Sequence, residues 1–495
     1  MRLPDRLPVR LVLAFAAGGL CVLAFAPFSQ GWVALLSLAL LFLLWRDASP
    51  GQAFWTGWSW GAGLMGFGVF WLHNSIAQFG GLNLPLAIFI TLLFAVFVAL
   101  FPGLAGWGAN HLTAARLPRL LLAYPACWVL LEWSRSWVLT GFPWLSMGYS
   151  QIDSILAGYA PVLGVYGISL VALLMAGSLL LWRSPWIVLL PILGLGGWSL
   201  QNIAWTSAAG APFTASLVQA SIPQHQKWLP SQLGPTLDFY VAETEKLTHS
   251  RLTVWPETAV PAFADKVETE FLQPLHEHLK NQGRDLLLGI PVREEDGRYY
   301  NSLLALGASG RGRYDKRHLV PFGEFMPFAR VLQPLIRMLA IPMSSFSAGD
   351  DDKPPLLKLA GYPAGVSICY EDAFPGQVSQ ALPEAAFLLN ASNDAWFGDS
   401  LAPYQHLEMA RMRALETGRF MLRATNTGIS AIIDERGWVM RYLPWGKRGT
   451  ITERIQPLAG STPYVRAGNG LVLGLLLLML LAAYLRRAGG APSTP

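Results

Sequence analysis

Charge is scarce in this chain: Asp, Glu, Lys and Arg make up 14% of its 495 residues, against about 25% in soluble domains. The small excess of five positive charges is spread along the whole length, which argues against a nucleic-acid surface and leaves basic residues to mark helix ends. Cysteine is nearly missing as well. Cys21 and Cys127 lie in apolar stretches, where a free thiol behaves as a small hydrophobe. Cys369 stands alone in the polar part of the sequence, so no disulfide framework is possible there. Zinc-ligand spacings, a glycine-rich phosphate loop and internal repeats are all absent. Apolar residues are abundant instead: 53% of the chain, with 20 tryptophans and a mean hydropathy of +0.38. That is the composition of a membrane protein.

Seven apolar stretches precede the polar region, at about Val9–Pro27, Trp32–Trp45, Phe54–His73, Leu86–Trp107, Leu120–Leu139, Ile155–Trp182 and Trp186–Trp205. An eighth, Leu471–Leu485, follows it. The first comes after Arg2, Arg6 and Arg10 without a small-residue cleavage site, and reads as a retained helix. With the N-terminus inside, the inner loops carry Arg46, Arg116, Arg119, Arg183, Arg486 and Arg487, while Pro27–Gly31 and Asn74–Pro85 carry no basic residue. Both termini are then expected in the cytoplasm and the polar region outside it. Glu132 and Arg135 stand three apart on one helix, either as an ion pair or as substrate contacts. Gly141-Phe142-Pro143-Trp144 reads as an interfacial turn with its tryptophan at headgroup level. These patterns divide the chain into a membrane domain over 1–210, a soluble domain over 211–464, and a last transmembrane helix with a short tail over 465–495.

The soluble region alternates strand-like runs with helical ones, the mark of an α/β domain. Strands are expected at Thr214–Ala220, Leu252–Trp255, Asp285–Ile290, Ser302–Leu306, Gly365–Ile368, Ala386–Asn390, Phe420–Ala424 and Ile429–Ile433. Helices are expected at Ser231–Lys246, Val267–Gln282 and Tyr404–Thr417, the last stopped by Gly418. Two of these strands end on chemistry: Trp255-Pro256-Glu257 closes one, and Cys369-Tyr370-Glu371-Asp372 closes another. A third strand-like stretch holds Asp315-Lys316-Arg317-His318-Leu319-Val320-Pro321-Phe322-Gly323-Glu324. Ligands in open α/β sheets bind at the carboxyl ends of strands, so these segments face a crevice.

Glu, Lys and Cys in that order, each after a strand, resemble the nitrilase superfamily. Together with Asn393-Asp394-Ala395-Trp396-Phe397-Gly398 and the flanking membrane spans, the motifs resemble the apolipoprotein N-acyltransferase family along the whole chain. The resemblance implies a multi-pass helical membrane domain joined to an α-β-β-α sandwich. Cys369 would be the nucleophile, Glu257 the proton acceptor and Lys316 the oxyanion stabiliser beside the Tyr370 N–H. Glu324 and Glu371 would support that triad, and Trp228 and Tyr370 would lie near substrate, although Trp228 also reads as ordinary packing or an interface anchor. Arg317 reads as a surface charge, and His318 has no role that Glu257 and Lys316 leave open.

The implied reaction moves an acyl chain from a phospholipid to the α-amino group of a diacylglyceryl-modified apolipoprotein. It would run through a thioester, at the periplasmic face of a bacterial inner membrane, in a monomer surrounded by membrane lipids. No cofactor, metal or nucleic acid is implied. A membrane-tethered amidase acting on a small amide shares the same triad and stands as the alternative. A transporter with an accessory domain lacks the intramembrane charges it would need. The apolar, proline-punctuated stretch Pro321–Ser347 reads as an arm that meets lipid. The loop charges make one direct prediction. A reporter fused near Gly310 should be active outside the cytoplasm and one at Arg487 inside; cytoplasmic labelling of 212–463 would reverse the orientation.

Overall fold

The computed structural model describes residues 6–327 and 345–488. Contacts divide the chain into two compact units. One comprises Met1–His73, Asn83–Ile203 and Arg466–Pro495; the other comprises Asn74–Leu82 and Ala204–Val465.

In the first unit, a helix occupies each of the eight apolar stretches: Leu7–Cys21, Gly31–Arg46, Pro50–Gly68, Leu84–Leu112, 116–134, Ile155–Leu179, Pro185–Gln201 and Gly470–Ala488. Among the described residues three are long and apolar enough to cross a membrane, Leu7–Ala24, Leu84–Leu112 and Ile155–Leu179. Small residues bring helix backbones together, as they do wherever lipid leaves no hydrophobic drive between helices. A methyl group on Gly18 would lie 1.9 Å from the Trp60 carbonyl oxygen, and one on Gly63 2.2 Å from that of Phe15. Beside this seam, Trp60 Nε1 donates to Ser37 Oγ at 2.9 Å, and Ser37 donates to Ala17 O at 2.7 Å.

Arginines between the helices cap helix ends. Arg119 donates to Arg46 O at 2.7 Å and Thr113 O at 2.9 Å, and Arg116 donates to Leu180 O at 3.2 Å. Each guanidinium thus meets carbonyls left over at a helix C-terminus. Glu132 and Arg135 both hold one turn: Glu132 Oε1 accepts from Met147 N at 2.7 Å, and Arg135 Nη1 donates to Trp144 O at 2.7 Å. That turn corrects the expectation for Trp144. Instead of facing headgroups, its ring is 1% exposed and packs against Trp71 at 5.2 Å.

The second unit is built on fourteen described strands: β1 (Thr206–Ala208), β2 (Phe213–Gln219), β3 (Leu252–Val254), β4 (Asp285–Arg293), β5 (Tyr299–Gly307), β6 (Gly312–Asp315), β7 (Leu356–Leu359), β8 (Tyr362–Ile368), β9 (Phe387–Ser392), β10 (Met421–Thr425), β11 (Ser430–Ile433), β12 (Val439–Leu443), β13 (Gly449–Ile455) and β14 (Leu458–Gly460). Two six-stranded sheets run in the orders β13-β2-β3-β4-β5-β6 and β12-β11-β10-β9-β8-β7, and β1 pairs with β14. Both sheets have three parallel strands at the centre, β2-β3-β4 and β8-β9-β10, with antiparallel strands outside. Between the sheets lies an apolar core in which Leu217, Val254 and Leu287 join Val366, Phe387 and Leu422. Helices at Pro230–Lys246 and Gln273–Asn281 cover one outer face, and Ala402–Thr417 with Pro375–Val378 covers the other. The architecture is an α-β-β-α sandwich.

All eight expected strands are present, and so are the three expected helices, within a few residues and with Val267–Gln282 formed in three consecutive pieces. Gly418 ends the last helix in the left-handed region, at φ 62°. A core truncation tests the sandwich. Phe387→Ala removes a fully buried ring and should destabilise this unit by about 3–5 kcal/mol, measured by thermal unfolding of the detergent-solubilised chain; an unchanged midpoint would mean that the sheets do not pack there.

Candidate active site

Strand direction explains why three distant motifs meet. β3 and β4 are parallel; β5 runs against β4, and β6 runs against β5. β6 therefore points the same way as β3, and Lys316, after β6, emerges at the same rim as Glu257, after β3. Cys369 follows β8, a central parallel strand of the facing sheet.

Lys316 is buried with its Nζ 2.8 Å from Glu324 and 3.8 Å from Glu257 Oε1. Asn301, on β5, completes the bracket: its Nδ2 donates to Glu257 Oε1 at 2.7 Å and to Glu324 Oε1 at 3.0 Å. Its own carbonyl accepts from Lys316 N at 2.8 Å. Burial alone would lower the Lys316 pKa, but Glu324, Glu257 and Cys369 outweigh it and hold the ammonium firmly charged. For Glu257 the sign is opposite. Burial raises its pKa, Lys316 opposes, and Glu324 adds to the rise. Cys369 is also pushed well above the ordinary thiol range, first by burial and then by the Glu257 charge, with Lys316 pulling down. Thiol and carboxyl have both gained proton affinity, which suits proton exchange between them.

The backbone around these groups is strained and pinned. Cys369 has φ 52° and Thr258, next to Glu257, has φ 49°, each costing about 1–3 kcal/mol in a non-glycine residue. Glu371 holds the cysteine turn from one side: its carboxylate accepts from Ile368 N at 2.6 Å, Arg317 N at 2.7 Å, His318 N at 3.1 Å and the Tyr314 hydroxyl at 2.9 Å. One carboxylate thereby ties the Cys369 elbow to the segment after Lys316. On β4, Gly289 gives the Glu257 backbone room; a methyl group there would lie 2.4 Å from Thr258 N.

Behind the elbow lies a buried ionic cluster. Asn390 Nδ2 lies 3.1 Å, and His406 Nε2 3.3 Å, from the Cys369 carbonyl oxygen. His406 also bridges Asp372 at 2.8 Å and Asp394 at 2.9 Å. Arg423 meets the same two carboxylates at 3.0 Å each. Burial and Arg423 would lower the His406 pKa, yet Asp372 and Asp394 prevail and hold it up at about 9. None of Asn301, His406, Asn390 or Arg423 was read from the sequence. The QH pair within a helix and the Asn-Asp run after β9 were the available signals.

Of the supporting residues, Glu324, Glu371 and Tyr370 join Glu257, Lys316 and Cys369 in this region. Tyr370 packs edge-on against Phe374 at 5.0 Å, and His318 stacks on Phe374 at 3.9 Å. Trp228 follows the short helix Gln224–Lys227 and is 38% exposed, so core packing does not account for it. Arg317 corrects the expectation of a surface charge. Its side chain is largely buried, lies over the Tyr314 ring at 5.5 Å and donates to Gln380 and the Lys353 carbonyl. Of the apolar arm, Phe322 is 54% exposed and Phe346 N donates to Glu324 O at 3.0 Å; residues 328–344 lie outside the described residues. The ionic cluster gives a direct test. Arg423→Met leaves two buried carboxylates with one cation and should cost about 3–5 kcal/mol, seen as a lower unfolding midpoint; an unchanged midpoint would mean that the cluster is not needed to hold the elbow.

Comparison with known proteins agrees with this architecture. Residues 17–178 match the profile of the apolipoprotein N-acyltransferase N-terminal domain, and residues 214–464 match that of carbon-nitrogen hydrolase. An apolipoprotein N-acyltransferase of Methylococcus capsulatus is 46% identical over 98% of this chain and 97% of its own. One of Nitrosomonas europaea is 46% identical over 98% of this chain and 99% of its own. A solved nitrilase-superfamily protein of Saccharomyces cerevisiae aligns with 51% of this chain and 93% of its own, at 18% identity and a TM-score of 0.38. Near-full-length identity of this order is decisive: the chain belongs to the apolipoprotein N-acyltransferase family.

Proposed function

We propose that the chain transfers an acyl group from a phospholipid to the α-amino group of an N-terminal diacylglyceryl-cysteine on lipoproteins, with Cys369 carrying the acyl chain between them. The membership just established supports lipoprotein N-acylation. The observation that carries the chemistry is the buried Lys316 ammonium, set between Glu257 and Glu324 and tied to the Cys369 elbow through Glu371.

In the first half-reaction Glu257 accepts the Cys369 proton, and the thiolate attacks the ester carbonyl carbon of the donor. The oxyanion that forms is stabilised by Lys316 and the Tyr370 N–H. As the C–O bond breaks, Glu257 returns the proton to the departing oxygen, giving a lysophospholipid and a thioester on Cys369. In the second half the acceptor amine attacks the thioester and Glu257 takes an amine proton; the C–S bond breaks, and Glu257 passes that proton to the leaving sulfur, which restores the Cys369 thiol and the Glu257 carboxylate. Trp228 and Tyr370 supply apolar surface for the lipid chains. The membrane domain over 1–210 and the helix within 465–495 keep the chain where both lipid substrates reside. The catalytic domain over 211–464 lies on the periplasmic side of the inner membrane, with both termini cytoplasmic.

The half-reactions separate experimentally. With phospholipid alone the protein should release about one lysophospholipid per molecule and stop; adding a diacylglyceryl-cysteine peptide should restore turnover, as ping-pong kinetics require. Cys369→Ala should release none, and Glu257→Gln or Lys316→Met should lose about three orders of magnitude or more. Continued release of free fatty acid without acceptor would make the chain a hydrolase, and transfer by Cys369→Ala would replace the thioester with direct attack.

A further inference from the structure

Lys227 is a buried cation beside Glu257 that the acyl-transfer steps leave without a task. It ends the helix Gln224–Lys227 and is 2% exposed. An ammonium carries three N–H donors and no acceptor. Among the described residues its one hydrogen bond goes to the Glu257 carbonyl oxygen, at 3.1 Å. Leaving a buried charge so thinly bonded is costly, and burial accordingly lowers the Lys227 pKa to about 8, with the Glu257 charge acting in the opposite direction.

Glu257 needs such a neighbour. Lys316 is nearer to Glu324, 2.8 Å against 3.8 Å. Asn301 bonds only Oε1 of Glu257, and Oε2 is buried without a partner. The groups that act on this carboxylate are Lys316 after β6, Glu324 from the 321–327 turn, Asn301 on β5, Lys227 from its helix and the Cys369 thiol opposite. Burial and Glu324 both favour its neutral form, which could not accept a proton; Lys227 is a second cation working against them. Its bond also falls on the carbonyl immediately before the strained Thr258, while Gly289 leaves the backbone room on the other side.

We propose that Lys227 is a positioning residue for Glu257: its ammonium pins the Glu257 carbonyl and keeps the carboxylate in its ionised, proton-accepting form. This rests on Glu257 being the proton acceptor, as set out above.

The test is the pH–rate profile of lysophospholipid release by the full-length protein, for wild type, K227M, K227Q and K227R. K227M removes charge and donor, K227Q keeps a donor, and K227R keeps the charge. Losing the cation raises the pKa of Glu257, so the acid limb should move to higher pH. The expected shift in K227M and K227Q is about one pH unit, with about tenfold lower kcat on that limb, unchanged KM and recovery at higher pH. K227R should lie nearer to wild type. Should K227M not accumulate, K227Q carries the same comparison. A profile superimposable on wild type, or one lowered by the same factor at every pH, would overturn the assignment, because a purely structural lysine would leave the limb in place. E257Q separates the two claims. If E257Q transfers normally, the proton-acceptor reading itself fails; if E257Q is inactive while the K227M limb stays put, only the role of Lys227 fails.

Discussion

One ammonium taken out of water sets the terms for the candidate site. Lys316 is almost wholly buried, and a buried charge is tolerable only when paired and hydrogen-bonded. Its partners come from separate parts of the chain, Glu257 after β3 and Glu324 from the turn that follows Lys316 itself, and Asn301 on β5 donates to both carboxylates. Satisfying this one cation therefore orders the segments after β3 and β6 together. Glu371 extends the constraint to the other sheet, because the backbone N–H groups it collects lie on both sides of the sandwich. The arrangement that keeps the lysine from being a liability also holds it within electrostatic reach of Cys369.

A second ionic layer lies behind the first. The left-handed turn at Cys369 would relax if nothing held it. Asn390 and His406 reach its carbonyl, and Asp372, Asp394 and Arg423 fix His406 in turn. No member of that cluster touches a reacting atom in the proposed steps. Its contribution is rigidity, which is what an attacking atom held at one angle requires. The membrane unit applies similar logic at lower density. Its few arginines cap helix ends, and Glu132 and Arg135 are both used on the backbone of a single turn.

What was legible in the sequence follows from which residues are buried on both faces. β2, β3, β4, β5, β8, β9, β10 and β11 are apolar runs inside a sheet, or border one, and each was visible as such. The strands that escaped, β7, β12, β13 and the β1–β14 pair, lie at sheet edges or outside the two large sheets, and the edge strand β6 was visible only as a strand-like run ahead of Lys316. One side of an edge faces solvent or a turn, so its residues mix polar and apolar types without a clean period. Site residues divide in the same way. Glu257, Lys316 and Cys369 sit directly at strand ends inside recognisable motifs. Asn301 is one polar residue within an apolar strand. His406 and Arg423 are buried because Asp372 and Asp394 pair with both of them, which joins a helix and β10 to the segments after β8 and β9. Pairing of that kind is a tertiary fact. Arg317 and Trp144 were misread for the same reason: a charged or interfacial residue type says nothing of the Tyr314 ring or of the turn that encloses it.

The central claim is that Cys369 bears the acyl chain, and peptide mass spectrometry tests it most directly. The purified protein would be incubated with a phospholipid of one defined acyl chain, quenched in acid and digested. The peptide containing Cys369 should gain the mass of that acyl group, in a hydroxylamine-labile linkage, and lose it when an acceptor peptide with a free α-amino group is added. A wild-type protein that acylates the acceptor while Cys369 never carries the chain would contradict the account.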